Sequence, residues 1–259
     1  MDDARFRFET GTVTHNGCVR DHNEDRYLSD PTLGIWLVAD GMGGHYGGEV
    51  AAQAIVDRVS TMERAPSAPD LQARFLRRIE QANQDILDHS ASVGGATIGA
   101  TLAAILTHDG NYAAVWCGDS RIYKLRDGVL TQISRDHNEA NDLLDSGAIT
   151  EEQALNWPRK NVLSRAVGVR AEVETDRVYG KLRDCDTFLL CSDGLTGHLS
   201  DDDIMELMRG RSAQHACDAL LEETLKRGAT DNVTVVIMRC AMKTVVSGSE
   251  MADYGQTNT

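Results

Sequence analysis

Four aspartates stand beside glycine or asparagine where apolar runs end or begin: Asp40-Gly41, Gly118-Asp119, Asp193-Gly194 and Asp231-Asn232. Taken singly, each reads as a turn, because Asp and Gly supply the backbone conformations that tight turns need. Four of them at the edges of strand-like segments allow a second reading. Carboxylates gathered at one place repel one another unless cations neutralise them, and an all-oxygen set suits the hard ions Mg²⁺ or Mn²⁺. Zinc is a poorer match: the six cysteines (Cys18, Cys117, Cys185, Cys191, Cys217, Cys240) form no C-x-x-C pair, and no His/Cys ligand spacing occurs.

The stretch VADGMGGHYGG (Val38 to Gly48) places Asp40 at the end of an apolar run and follows it with five glycines. Few side chains there obstruct a ligand. The phosphate loop and the dinucleotide fingerprint are both absent, since neither Gly-Lys-Ser/Thr nor G-x-G-x-x-G occurs. Upstream, Arg20, Glu24 and Asp25 crowd into one short polar segment, which alone would be an ordinary solvated surface.

The elements that must position these residues follow from periodicity. Apolar residues at helical spacing predict helices over about 48–62 and 71–86, broken by Pro66 and Pro69. Gly11 to Gly17 reads as a short strand and turn. Four strand-like runs between about 94 and 133, joined by Gly and Asp turns, predict an antiparallel meander. Residues 136–158 mix scattered apolar groups with many polar ones and allow only short helices, the composition of a flap or lid. An exposed-face strand over 172–179, a buried strand over 186–191, helices over 201–208 and 212–226, and a β-branched strand over 233–238 complete the order. Residues 243–259 read as a flexible tail. The fold class is α+β, with helix pairs covering antiparallel sheets.

Composition narrows the function classes. At 259 residues and 41% hydrophobic, the chain supports one large core and needs no second domain. A net charge of −14 argues against nucleic acid or an anionic membrane as partner. No signal peptide opens the chain and no run reaches the roughly 18 apolar residues of a spanning helix, so a cytoplasmic, soluble protein is expected. The scattered cysteines read mostly as buried free thiols.

VRDHNEDRYL, VADGMGGHYGGEVAA, IGATLAAIL, WCGDSRIYKL, NVLSRAVG, LLCSDGL and ATDNVTVV resemble, in order and spacing, the motifs of the metal-dependent protein phosphatases of the PPM (PP2C-like) family, bacterial type. The resemblance covers about residues 11–239. It implies a four-layer αββα sandwich of two antiparallel sheets flanked by pairs of helices, a phosphatase domain over 1–242 with a flap over 136–160, and a tail over 243–259. It also implies hydrolysis of phosphoserine and phosphothreonine in proteins by direct attack of a water or hydroxide bridging two Mn²⁺ or Mg²⁺ ions. On the matching positions, Asp40 bridges the two ions with the Gly41 carbonyl beside it, and Asp193 and Asp231 complete the first metal's carboxylates. Asp119 with Asp193 holds a possible third ion that Ser164 approaches from the flap. Asp25, with Glu24 behind it, orders water, and Arg20 binds the substrate phosphate. Asn232 hydrogen-bonds ligands from behind. The expected partners are phosphorylated proteins, a Ser/Thr kinase and its targets, met by a monomer.

Two departures matter. Animal members carry His directly after Asp-Gly as the acid for the leaving group, whereas Met42 stands here, as in many bacterial members; His45, three residues on, is the candidate acid. Gly-Thr-Thr is replaced by Gly99-Ala100-Thr101, a change expected to affect packing only. Among rival chemistries, a cysteine-dependent phosphatase needs C-x5-R, which no cysteine satisfies, and Gly118-Asp119-Ser120 is no G-x-S-x-G elbow. A catalytically silent phosphoprotein-binding scaffold of the same fold and a small-molecule phosphoesterase are the remaining alternatives.

Overall fold

The computed structural model describes residues 5–43 and 47–243. In chain order the elements are β1 (Phe6–His15), β2 (Arg26–Asp30), β3 (Ile35–Ala39), β4 (Gly41–Met42), α1 (Gly47–Ser60), α2 (Ala68–Ser92), β5 (Gly99–Ala100), β6 (Leu102–His108), β7 (Asn111–Cys117), β8 (Arg121–Arg126), β9 (Val129–Gln132), α3 (Glu139–Asp145), α4 (Glu151–Leu155), β10 (Asp176–Lys181), β11 (Thr187–Cys191), α5 (Asp193–Thr196), α6 (Asp201–Met208), α7 (Ala213–Lys226) and β12 (Val233–Met242). Two five-stranded antiparallel sheets form, in the orders β1-β12-β11-β8-β9 and β10-β7-β6-β3-β2, with β4 and β5 pairing separately.

The central strands are apolar on both faces because both faces are covered. Val235 and Ile237 of β12 pack outward under Ile204, Met208, Cys217 and Leu220 of α6 and α7. The alternate residues Val236 and Met238 face inward and meet Trp36, Val38, Ile105, Phe188 and Leu190 between the sheets. On the far side, α1 and α2 lay Ile55, Val59, Phe75 and Ile79 over Leu37, Leu102 and Ala104. Three apolar layers thus lie between four structural layers, the expected αββα sandwich. Ser67 caps α2 ahead of Pro69, and Ser200 and Ser212 cap α6 and α7, which sets where those helices begin.

The meander expected over 94–133 is corrected. It is two hairpins in different sheets: β6-β7 in one and β8-β9 in the other. Each turns on two residues with positive φ, Asp109-Gly110 and Asp127-Gly128, the type I′ geometry that suits the right-handed twist of paired strands. Gly118-Asp119-Ser120 is therefore the strap by which the chain crosses from sheet to sheet. The first strand is also longer than expected, because Phe6 to His15 pairs along all of β12. Strand β2 has no counterpart among the expected elements. Between β9 and β10 the flap holds only the short helices α3 and α4, as its composition implies. The expected tail lies, beyond Lys243, outside the described residues.

Candidate metal-dependent active site

The ends of strands from both sheets meet at one end of the sandwich. Asp40 follows β3, Asp119 lies on the strap after β7, Asp193 opens α5 after β11, and Asp231 precedes β12. All four line one cavity of about 930 Å³, together with Arg20, Glu24, Gly41 and Asn232. Residues as far apart in the chain as Arg20 and Asn232 are thus brought to a single place.

Close backbone contacts fix this convergence. A Cβ on Gly41 would lie 2.1 Å from the Gly48 carbonyl oxygen, so the chain can pass from β4 into α1 this tightly only with glycine at that point. Likewise a Cβ on Gly194 would lie 1.9 Å from the Asn232 carbonyl oxygen, and glycine there lets the Asp193 and Asp231 loops touch. Asp40 is held from below: its N–H donates to Thr101 Oγ1 at 3.0 Å, and its carbonyl accepts from the Thr101 N–H at 2.8 Å. Thr101 Oγ1 in turn lies 2.6 Å from Ser120 Oγ, next to Asp119. Thr101 therefore supplies a hydroxyl to the site, while Ala100 beside it pairs through its backbone with Gly41 and Val167.

Asn232 spends its whole amide on the loop that carries the polar segment. Its Oδ1 accepts from the Glu24 N–H at 2.8 Å, and its Nδ2 donates to the carbonyls of Asn16 at 3.0 Å and His22 at 2.8 Å. Asp25 is 1% exposed. Its Oδ2 accepts from Ser192 Oγ at 2.8 Å, and its Oδ1 is buried with no hydrogen-bond partner. Ser192, itself buried, also accepts from the Thr234 N–H at 3.0 Å. Nothing in the sequence singles out Thr101 as a site residue, and the one signal for Ser192 is its place directly before Asp193.

The electrostatics are those of crowded carboxylates. Burial, followed by the charges of Asp25, Asp193, Asp119 and Asp231, pushes the Asp40 carboxyl well above the ordinary range. Burial pushes Asp25 up to about 6, against the hydrogen bonds from Thr234 and Ser192. Burial and then Asp193 push Asp119 up to about 7. Asp193 is raised too, by burial and by Asp231. At the rim Arg20 supplies positive charge: its Nη2 donates to Asp231 Oδ2 at 2.8 Å, with its side chain 54% exposed. An orphaned buried carboxylate oxygen and several carboxyls forced toward protonation are what a cation site shows when its charge is uncompensated. The donors, carboxylate and carbonyl oxygens, fit Mg²⁺ or Mn²⁺. Among the described residues, no group of three or more His, Cys, Asp or Glu side chains closes on a single point.

Of the residues expected from the sequence, Arg20, Glu24, Asp40, Gly41, Asp119, Asp193, Asp231 and Asn232 line the cavity, and Asp25 sits behind it on Ser192. Ser164 does not line it. Its N–H donates to the His137 carbonyl, and its Oγ is buried without a partner. From that flap-side segment Asn161, Val162 and Leu163 reach the cavity instead. His45 lies outside the described residues.

The chain matches the protein phosphatase 2C family over residues 18–245. It is 34% identical to the serine/threonine phosphatase stp of Listeria monocytogenes serotype 4b, an alignment covering 91% of this chain and 94% of that protein. PppA of Pseudomonas aeruginosa, described as a key regulatory component of T6SS, superposes with a TM-score of 0.83 at 34% identity, covering 90% of this chain and 97% of that one. The catalytic domain of the serine/threonine protein phosphatase PstP, solved in complex with two manganese ions, superposes with a TM-score of 0.80 at 34% identity, covering 92% and 99%. A four-layer sandwich with aspartates from both sheets at one end, matched over nearly its whole length, places this chain in the protein phosphatase 2C family.

Proposed function

We propose that this cavity is the active site of a metal-dependent protein phosphatase that hydrolyses phosphoserine and phosphothreonine in proteins. The observation that carries the assignment is the meeting of Asp40, Asp119, Asp193 and Asp231 with Arg20 around one cavity. Asp40, the Gly41 carbonyl, Asp193 and Asp231 would hold two Mn²⁺ or Mg²⁺ ions, and Asp119 with Asp193 a third. Ions so held supply an acidified water as nucleophile and positive charge against the phosphoryl group.

The chain's own residues do the rest. Arg20 exchanges its single bond to Asp231 for the phosphate oxygens, which its planar fork can take two at a time. Asp25, fixed by Ser192, keeps one carboxylate oxygen free to accept a hydrogen bond. Asn232 holds the 16–24 loop and so sets where Arg20 and Asp25 stand. Domain limits of 1–242 with a flap at 136–160, phosphoprotein substrates placed there by a Ser/Thr kinase, a monomeric state and a cytoplasmic location belong to the same reading. No helix of the described residues is long and apolar enough to cross a membrane.

Phosphate release from phosphoserine and phosphothreonine peptides tests the assignment. Release is expected with Mn²⁺ or Mg²⁺, and is expected to vanish on chelation and in Asp193→Ala. Full activity after chelation would refute the metal mechanism; retained phosphopeptide binding without turnover would make the chain a scaffold.

A further inference from the structure

A second cavity of about 710 Å³ opens from the first and runs beneath the flap. The two share Asp119, Asn161 and Asp193, so a chain leaving the acidic centre enters the second directly. One wall of the second cavity is apolar, built from Ala140 and Leu144 of α3 and Ala154 and Leu155 of α4. Helix α4 buries none of its residues, and Leu155 at its end is 73% exposed. Its capping box and the Trp157 Nε1 bond to Glu139 at 3.0 Å hold the helix without help from an apolar core. Leu155 is thus displayed without serving the flap's own stability.

The mouth of the first cavity repeats the pattern. Val19 is 65% exposed, Val162 42% and Val169 40%, and all three line it. Of the ten large apolar side chains exposed among the described residues, four surround these two connected cavities. Apolar side chains grouped around a strongly acidic centre mark a surface meant to be covered. The polar lining carries both signs, with Asp136 held by Arg121 at 2.8 Å, Glu151, and Lys160, whose Nζ donates to the Leu155 carbonyl at 3.3 Å, so the cleft's selectivity rests on its apolar wall.

We propose that the flap cleft is a subsite for a bulky apolar side chain of the substrate, and that the preferred substrate is a phosphorylated, extended protein segment with an aliphatic or aromatic residue close to the phosphoresidue. The proposal rests on the phosphatase reading of the acidic centre. With the phosphoryl group at Arg20 and at the ions that the aspartates would hold, the neighbouring backbone crosses Asn161 so that the apolar side chain reaches Leu144, Ala154 and Leu155. This makes the flap a reader of side-chain bulk and gives extended protein segments an advantage over small phosphate esters, which leave the cleft empty.

A phosphothreonine peptide series in glycine background, with one leucine moved from four residues before to four residues after the phosphoresidue, tests this against a simple aryl phosphate. One leucine position is expected to raise kcat/KM by about tenfold over the all-glycine peptide, chiefly through KM. Leu155→Gln is expected to abolish that gain, whereas Val129→Gln, an exposed valine lining neither cavity, keeps it. Binding of phosphonate versions of the same peptides, read by fluorescence anisotropy, should show the same leucine position and the same loss. Peptide hydrolysis indifferent to leucine, or a leucine gain that survives Leu155→Gln, would overturn the subsite and leave the phosphatase reading standing. If neither the peptides nor the aryl phosphate is hydrolysed, the phosphatase reading falls. The anisotropy then decides the subsite alone, a leucine preference supporting it and indifference overturning it.

Discussion

Freed of metal, this protein should be more stable in mild acid than at neutral pH, and one isosteric substitution should remove part of the difference. Asp25 is raised from about 3.8 to about 6 because it is buried. Its folded form therefore binds a proton more tightly than its unfolded form. Between those two values the native state holds more protons than the unfolded state, so stability falls as pH rises through that window and levels off above it. A shift of about two units corresponds to about 3 kcal/mol. Asp119, raised to about 7, extends the decline toward neutrality with the same sign. The perturbation is chelation combined with Asp25→Asn, which keeps the shape and the hydrogen bond from Ser192 while removing the charge. Urea unfolding of chelated protein at pH 5 and pH 8 should show the wild type losing about 2–4 kcal/mol across that range. Asp25→Asn should unfold at pH 8 about 1–3 kcal/mol later than the wild type while losing phosphatase activity. Stability of the chelated wild type that rises from pH 5 to pH 8, or an Asp25→Asn protein less stable than wild type at pH 8, would refute the claim that uncompensated carboxylates strain this end of the fold.

Two further outcomes follow from single contacts. Asn232→Ala removes one acceptor and two donations that hold the 16–24 loop, so it should cost about 2 kcal/mol in thermal or urea unfolding and raise KM for phosphopeptides by displacing Arg20; unchanged stability would show that the loop is held elsewhere. Arg20→Lys keeps the charge but not the fork, and should raise KM by about tenfold with little change in unfolding, because its ion pair with Asp231 is at the exposed rim; an unaltered KM would remove Arg20 from phosphate binding.

Much of the candidate site can be read in the sequence because each aspartate sits on a strand end whose apolar run is itself unmistakable, as in IWLVAD and TFLLCSD. The helices of the outer layers are equally plain, with Asp201–Met208 bounded as expected, since one apolar stripe and a capping serine suffice. Periodicity does not say which sheet a hairpin joins, and so Gly118 to Ser120 looks in the sequence like one more turn of a meander. Strand β2 escaped because its residues are half-buried on both faces and RYLSD shows no alternation. Ser192 and Thr101 escaped for a different reason: their worth lies in two hydrogen bonds each to partners far along the chain, and a lone hydroxyl carries no pattern. Ser164 lines neither cavity, whereas Asn161, three residues earlier, lies in both.

The strap between the sheets has a mechanical meaning. Asp40 belongs to one sheet, Asp193 and Asp231 to the other, and Asp119 to the link that joins them. Ions gripped by this set would rivet the two sheets across their seam, and the grip would tolerate little shear between them. The alignment of the metal centre is therefore set by the interleaved side chains between the sheets, Trp36, Phe188, Val236 and Met238 among them, as much as by the loops that bear the ligands. In this architecture the middle of the sandwich acts as the calibration of its edge.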